Sequence, residues 1–287
     1  MKKFAVIDVG SNSVRLMFVA DGKVLYKALN TTRLGEGLAS SPLLKSEAIA
    51  RSVNAVVDFY DRAILEGAEK VYAFATAAVR SATNGQAFVD GVRALRPLQV
   101  EVISGEEEAE IGILGALGNG DGGVIDVGGA STEIVVKEQG KIRYKKSVNI
   151  GVVRLKDKCG RDKNALAQTA REAAKEYDGF PSVTNLYAIG GTATTLAALA
   201  LGLQTYDPEK VTGAILSQAK MQEMADMLSQ MSVEEIAKFP CMPKGRADVL
   251  LGGALLLATL MQELGVQTLT ASDRDNLEGY AVKRGLL

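Results

Sequence analysis

The 287-residue sequence contains no histidine and no tryptophan, and only two of its residues are cysteines. The missing histidine excludes histidine general bases, histidine metal ligands and Ser-His-Asp triads. Cys159 and Cys241 lie too far apart in the sequence to form a metal-binding or redox motif. Catalytic chemistry in this chain must therefore use carboxylates, hydroxyl groups, lysine, arginine, backbone groups or a bound metal ion.

The chain also lacks a strong net charge and a long hydrophobic run. Its 33 Lys and Arg residues nearly balance its 34 Asp and Glu residues, so we expect neither nucleic acid nor a membrane as a partner. The most apolar run, residues 249–261, is too short to span a bilayer and predicts a buried helix. The apolar run before Asp8 is too short for a signal-peptide core, and two free thiols suit a reducing compartment, which predicts a cytoplasmic protein.

Two short stretches, around Asp8 and around Asp126, resemble each other. Each is an apolar strand that ends on an acid and continues through glycine and hydroxyl residues. Asp8 is followed by Gly22 and Asp126 by Gly140, so a turn glycine comes fourteen residues after the acid in both stretches. The matched spacing predicts two related halves, each with a β-hairpin, that present backbone N–H groups to one polyanion.

Strand and helix patterns alternate along the chain, which predicts an α/β fold with largely parallel sheets plus hairpins. The length allows about two domains, on the prior of roughly 150 residues each. Residues 118–123 include four glycines and are typical of a linker, so we predict domains over residues 1–120 and 121–287. Helices are predicted near residues 46–66, 88–95, 105–117, 163–177, 193–203, 218–230, 232–239, 248–264 and 277–284.

Three glycine-rich turns follow predicted strands. Glycine lets the backbone approach a phosphate closely, and successive N–H groups in such turns bind anions. The alternative interpretation of each turn is that a strand-to-helix connection needs glycine for its own geometry. Because there are three turns, two of them with matched hairpins, we predict a phosphate-binding site formed by Gly10, Ser11, Asn12, Ser13, Gly128, Gly129, Ser131, Gly190, Gly191 and Thr192.

Three acids accompany these turns. Asp8 and Asp126 end their strands, and Glu133 lies on the returning strand, where it faces the same crevice as Asp126. Such hard oxygen ligands suit Mg²⁺, with Mn²⁺ as the other metal considered. The alternative is that strand-end acids only cap turns through Asx-type hydrogen bonds. We predict Asp126, Glu133 and Asp8 as metal-binding residues.

Other charged residues have weaker patterns. Residues 106–108 are three consecutive glutamates at a helix start, where acids complement the helix dipole, although three exceed what a cap needs. Arg15, Arg33, Arg80 and Arg246 are candidates for binding phosphate, and solvated surface arginines are the alternative interpretation.

The sequence resembles the exopolyphosphatase / guanosine pentaphosphate phosphohydrolase (Ppx/GppA) phosphatases of the actin-like ATPase superfamily. The resemblance covers almost the whole chain, and its stretches occur in family order: residues 8–16, 33–38, 76–80, 102–109, 125–133, 189–192 and 246–248. It implies two ribonuclease-H-like domains with an inter-domain active-site cleft. It also implies Mg²⁺-assisted release of a terminal phosphate from inorganic polyphosphate, with short chains favoured, or from pppGpp.

The resemblance also implies roles for individual residues. Glu108, just before the alanine of its stretch, would be the base that activates water, Asp126 and Glu133 would hold the metal or its waters, and Arg80 would contact phosphate. Three positions depart from the family pattern: Glu110, Ala130 and Leu277. We expect Glu110 to repel the substrate and Ala130 to be tolerated unless its φ must be positive.

Two other functions remain open at this point. A kinase or ATPase of the same superfamily would transfer phosphate from ATP to an acceptor. A non-enzymatic binder of pppGpp or ppGpp would retain the cleft without turnover. The sequence does not decide the oligomeric state, and a homodimer is among the partners considered.

Overall fold

The computed structural model describes residues 2–287, which form two mixed sheets with helices packed on them. The first sheet has the strand order β3-β2-β1-β4-β5. Its strands are β1 (Lys3–Val9), β2 (Val14–Ala20), β3 (Lys23–Asn30), β4 (Lys70–Ala75) and β5 (Val100–Val102). The helices between these strands are α1 (Ser46–Leu65), α2 (Ala77–Ser81) and α3 (Gly85–Leu95).

The second sheet has the strand order β10-β11-β9-β6-β7-β8. Its strands are β6 (Gly122–Val127), β7 (Thr132–Glu138), β8 (Lys141–Val148), β9 (Asn185–Ile189), β10 (Ile215–Ser217) and β11 (Thr268–Ala271). The remaining helices are α4 (Gly105–Leu117), α5 (Val152–Cys159), α6 (Lys163–Ala174), α7 (Gly190–Ala200), α8 (Pro208–Val211), α9 (Gln218–Gln230), α10 (Val233–Ile236), α11 (Ala247–Leu264) and α12 (Asn276–Lys283).

The two sheets repeat one plan, as the matched spacing predicts. In each, three antiparallel strands form consecutive hairpins, and the first strand also pairs in parallel with a later one. Both first hairpins continue into a second one through a two-residue turn at positive φ, Asp21-Gly22 in the first sheet and Gln139-Gly140 in the second. Positive φ at both turn residues matches the type I′ turn that suits twisted strands. The predicted α/β fold is confirmed.

Helix α11 is buried, as its apolar run predicts. By length and composition this helix could cross a membrane, but 78% of its 18-residue apolar stretch is buried inside the fold. It lies in the core of the second sheet with α6, α9 and the apolar side chains of β9. The apolar residues therefore serve the protein core.

Helices α4 and α12 lie between the two sheets. Ile111 of α4 joins an apolar cluster of the first sheet, while Ala109 and Ile113 join a cluster of the second. Helix α12 packs on α4 and adds Leu277 and Tyr280 to the first-sheet cluster. The predicted division at residue 120 assigns α12 to the second domain, whereas the helix packs on the first sheet.

Several local features differ from the sequence predictions. Helices α2, α5 and α8 and strand β10 were not predicted, because elements of three to eight residues are too short to show a clear period. The predicted linker over residues 118–123 is shorter in the structure, since Gly122 and Gly123 already pair with β7. The helix predicted near residues 232–239 is present as α10, where Ser232 and Glu235 form a capping box.

Candidate active site

The predicted site residues meet at one cavity of about 520 Å³ between the two sheets. Side chains from β1, α4 and β6 reach it together with the three glycine turns. The predicted residues that line it are Asp8, Gly10, Ser11, Asn12, Ser13, Arg15, Glu108, Asp126, Gly128, Gly129, Ser131, Gly190, Gly191, Thr192 and Arg246. Three other predicted residues, Arg33, Arg80 and Glu133, are not part of the lining.

The first two glycine turns are built alike and touch each other. The Gly10 N–H donates to the Ser13 carbonyl at 3.0 Å, and the Gly128 N–H donates to the Ser131 carbonyl at 3.0 Å. A Cβ atom on Gly129 would lie 2.7 Å from the Cβ of Ser11, so this close approach requires glycine. The N–H groups between these positions are not used in the turns' backbone hydrogen bonds, and they are available to an anion.

The third glycine turn opens helix α7. Gly190 has φ of +78°, and a Cβ at this position would lie 2.5 Å from Asp126 Oδ1. The first N–H groups of a helix have no intrahelical partner, and those of α7 have no side-chain cap either. They therefore favour a negatively charged ligand. The Thr192 hydroxyl donates to the Val127 carbonyl at 3.2 Å, which ties this turn to β6.

The strand register explains why the acids share one face. Asp126 on β6 stands directly opposite Glu133 on β7, and neighbours across an antiparallel pair point to the same face. In the first sheet the equivalent pair is Asp8 and Arg15. One half of the protein therefore carries two acids where the other half carries an ion pair.

Glu108 is buried in the first turns of α4 and is held by Arg80. The Arg80 Nη1 atom donates to Glu108 Oε2 at 3.0 Å and to the Ile103 carbonyl at 2.9 Å. Arg80 therefore holds the candidate base and lies outside the cavity lining, and its contact with phosphate stays a prediction.

The acids of the site have raised pKa values. Burial raises the pKa of Glu108 well above its ordinary value, and the charge of Glu133 raises it further, while Arg80 offsets part of the effect. Burial and then Asp275 raise the pKa of Asp126 to about 6. Burial and then Asp126 raise the pKa of Glu133 to about 7. These carboxyl groups lose charge readily unless a cation joins them.

The cavity lining has more acids than bases. It includes five carboxylates, those of Asp8, Glu108, Asp126, Asp273 and Asp275, and three cationic side chains, those of Arg15, Lys27 and Arg246. Arg15 forms ion pairs with Asp8 and Asp275, and Lys27 forms ion pairs with Asp273 and Glu278. A phosphate chain entering this cavity would meet net negative charge, so a cation would favour its binding.

Several buried polar atoms of the site have no hydrogen-bond partner. They are Asp8 Oδ1, Glu133 Oε2, Asn276 Oδ1 and both side-chain polar atoms of Asn12. Buried groups of this kind normally have partners, so these atoms are positioned for a ligand or for water. Four of them are oxygens of the carboxylate and amide type that Mg²⁺ prefers.

The carboxylates of the site fit a metal ion that takes most of its ligands from water and substrate and only one or two from the protein. Within residues 2–287, no group of three or more His, Cys, Asp or Glu side chains is arranged to hold a metal ion alone. Mg²⁺ is usually bound through one or two carboxylates, waters and substrate phosphates. Asp126 and Glu133, with Asp8 nearby, meet that requirement.

Arg246, one of the four arginines named from the sequence as candidates for binding phosphate, is buried beside the third glycine turn. Its guanidinium is buried against Gly191, where any side chain larger than glycine would collide with it. Among the described residues it forms no salt bridge, and burial followed by the charge of Arg15 lowers its pKa to about 10. An unpaired buried cation beside an anion-binding turn is positioned to receive phosphate. Arg33, in contrast, pairs with Asp248 at 2.9 Å.

The three departures from the family pattern have clear surroundings. Glu110 pairs with Lys145 at 2.8 Å and does not line the cavity, so the expected repulsion of substrate does not follow. Ala130 is buried without positive φ, as its tolerance requires. Leu277 is fully buried in the apolar cluster that includes Phe74 of the first sheet, and it also lines the cavity.

Two repeated sheets whose glycine turns meet at one cavity define the class of protein, a two-domain α/β fold with its candidate site between the sheets. A sequence model of the Ppx/GppA phosphatase family matches residues 4–286, and the chain belongs to this family.

Relatives of known name agree with this assignment. "Exopolyphosphatase 2" of Mycobacterium tuberculosis is 33% identical over 98% of both chains. The guanosine-5'-triphosphate,3'-diphosphate pyrophosphatase of Vibrio vulnificus is 29% identical over 99% of this chain, which spans 58% of that protein. The crystal structure of the Ppx/GppA family member of Aquifex aeolicus has a TM-score of 0.80 and 29% identity over 99% of this chain and 98% of that one.

Proposed function

We propose that this protein is a phosphohydrolase that releases the terminal phosphate of pppGpp, of short inorganic polyphosphate, or of both. The observation that carries the proposal is the common cavity of Glu108, Asp126 and the three glycine turns. The names of the relatives, an exopolyphosphatase and a pyrophosphatase acting on guanosine-5'-triphosphate,3'-diphosphate, support the same chemistry.

In the proposed mechanism, the backbone amides of the glycine turns and the Arg246 guanidinium bind the phosphate chain. Glu108, oriented by Arg80, takes a proton from water as the water oxygen bonds to the terminal phosphorus. The bond from that phosphorus to the bridging oxygen breaks, and the electron pair stays on the shortened chain. Mg²⁺ or Mn²⁺, held by Asp126 and Glu133 with Asp8 nearby, would neutralise charge on the phosphate oxygens.

The remaining residues of the cavity lining support a nucleotide as a substrate, in addition to short polyphosphate. Tyr206, Cys241 and Met242 add apolar surface, which a nucleoside can contact and an inorganic chain cannot use. Arg15 and Lys27 are already paired with acids, so the lining offers little free positive charge for gripping a long polyanion. Short chains and pppGpp therefore suit the cavity better than long polyphosphate.

The test is orthophosphate release measured in parallel from pppGpp, short polyphosphate, long polyphosphate and ATP, with Mg²⁺, with Mn²⁺ and with EDTA. We expect metal-dependent release from pppGpp or short polyphosphate and slower release from long chains. Tight nucleotide binding without any release would support the sensor alternative. Transfer of the ATP phosphate to an acceptor instead of water would support the kinase alternative.

The cellular setting belongs to the same proposal. Both cysteines are free thiols, which is typical of a reducing compartment and supports a cytoplasmic location. The absence of a nucleic-acid or membrane partner stays a prediction. The formation of a homodimer stays open.

A further inference from the structure

Asn276, the first residue of α12, contacts Asp126, a candidate metal-binding residue that is distant in the sequence. Its side chain is buried, and its Nδ2 atom donates to Asp126 Oδ2 at 2.9 Å. Its Oδ1 atom is buried without a partner. No sequence motif singles out this asparagine, because its partner lies 150 residues away.

The surroundings of Asn276 hold its side chain in place. Asp275 caps α12 in a capping box with Glu278, so the helix start is fixed just before Asn276. Helix α12 packs so closely on α4 that a Cβ on Gly115 or Gly279 would collide with the backbone of the other helix. A Cβ on Gly112 of α4 would lie 3.0 Å from Asn276 Oδ1. The asparagine is thus anchored to the helix that carries Glu108.

The contact leaves one oxygen of Asp126 uncovered. Asn276 donates to Oδ2, while Oδ1 accepts no hydrogen bond among the described residues and lies so close to Gly190 that a Cβ there would be 2.5 Å away. A carboxylate fixed through one oxygen presents the other in a defined direction. Partners that orient ligating carboxylates in this way change metal affinity or activity by roughly 10–100-fold when they are removed.

We propose that Asn276 is a positioning residue that orients the Asp126 carboxylate for cation binding and couples it to the Glu108 helix through α12. This inference rests on the proposed function, because it assigns Asp126 to the cation. Its alternative is a purely structural role, in which Asn276 fills space between α4 and β6.

The test compares two variants of Asn276 with a matched control. Asn276→Ala removes the side chain, and Asn276→Leu keeps roughly its size but can neither donate nor accept a hydrogen bond. Asn84→Ala is the control, since Asn84 is partly buried, makes two hydrogen bonds at 2.8 and 3.0 Å to the backbone of Leu44, and does not line the cavity. Each protein is measured for kcat, KM, Mn²⁺ binding by electron paramagnetic resonance, and Tm.

We expect both Asn276 variants to lose about 10–100-fold in kcat with KM within about threefold of wild type, and to bind Mn²⁺ at least about tenfold more weakly. Asn84→Ala should lower Tm and leave kcat and Mn²⁺ binding unchanged. Mn²⁺ affinity at the wild-type level in both Asn276 variants would overturn the inference, even if Tm falls. If the wild-type protein hydrolyses none of the substrates, the proposed function fails, and Mn²⁺ binding alone then decides the role of Asn276.

Discussion

Arg15 and Arg246 line the same cavity in opposite electrostatic situations. Arg15 forms ion pairs with Asp8 and Asp275 on either side. Arg246 is buried without a salt bridge among the described residues. An unpaired buried charge is costly to the folded protein, whereas removing one member of a buried ion pair leaves its partners uncompensated. The two arginines should therefore respond differently to the same substitution.

Replacing each arginine with methionine separates binding from stability. Arg246→Met should raise KM at least about tenfold, because substrate phosphate loses its free cation, and should leave the free energy of unfolding unchanged or higher. Arg15→Met should lower the free energy of unfolding by about 3–5 kcal/mol. Steady-state kinetics and urea denaturation measure both effects. A stability loss in Arg246→Met equal to that in Arg15→Met would contradict this assignment.

The raised pKa of Glu133 predicts how stability depends on pH without metal. The ordinary value of 4.5 rises to about 7 in the folded protein, so folding favours the protonated form. This stability is fully present below pH 4.5 and is lost as pH rises through about 7. In EDTA, Tm should fall over that interval, and Glu133→Gln should flatten the dependence. An equally steep fall in the variant would contradict the role of Glu133.

At the scale of elements, the contact between the two glycine turns brings the halves of the site together. A Cβ on Gly129 would lie 2.7 Å from Ser11 Cβ and 3.1 Å from the Asn12 backbone nitrogen. Backbone atoms cannot move aside as the end of a flexible side chain can. Any substitution of Gly129 therefore has to push the two turns apart. The spacing of the anion-binding N–H groups depends on this one missing side chain.

Gly129→Ala should therefore lower kcat/KM at least about tenfold, since a displacement of about 1 Å in a positioned site can cost a hundredfold. The control is Gly252→Ala in α11, where the nearest neighbour of a new Cβ is an ordinary 3.6 Å away. The control should keep wild-type kcat/KM and gain up to about 1 kcal/mol in stability, because alanine favours helix. Wild-type activity in Gly129→Ala would refute the importance of the contact.

The elements that were predictable from sequence are those with a local cause. The hairpin turns at Gly22 and Gly140 have the positive φ that glycine suits, the hydrophobic period of α1 extends over several turns, and α11 coincides with the most apolar run. The pairing of Arg80 with Glu108 and of Asn276 with Asp126 joins residues 28 and 150 positions apart. Such contacts exist only after the sheets pack, so no local pattern indicates them.

At the scale of the whole molecule, the end of the chain ties the two halves together. Tyr280 of α12 stacks on Phe74 of the first sheet, with ring centroids 4.7 Å apart. Lys27 of the first sheet also pairs with Glu278 of α12 at 2.7 Å. These contacts join the last helix to the first sheet, so the two sheets should unfold together.

Tyr280→Ala tests this coupling. The wild-type protein should unfold in urea in one transition, followed by circular dichroism. The variant should lose about 3–5 kcal/mol, the usual cost of truncating a large buried aromatic side chain. Loss of less than about 0.5 kcal/mol, within the usual range for surface substitutions, would contradict a coupling role for α12.

The proposed mechanism requires water, activated by Glu108, to attack the terminal phosphorus. Single-turnover hydrolysis of pppGpp or short polyphosphate in H₂¹⁸O, by the wild-type protein and by Glu108→Gln, tests this most directly. The account predicts one ¹⁸O atom in the released orthophosphate, with release slowed at least about a hundredfold in the variant while substrate binding stays intact. Label in the shortened chain, or wild-type turnover in Glu108→Gln, would contradict it.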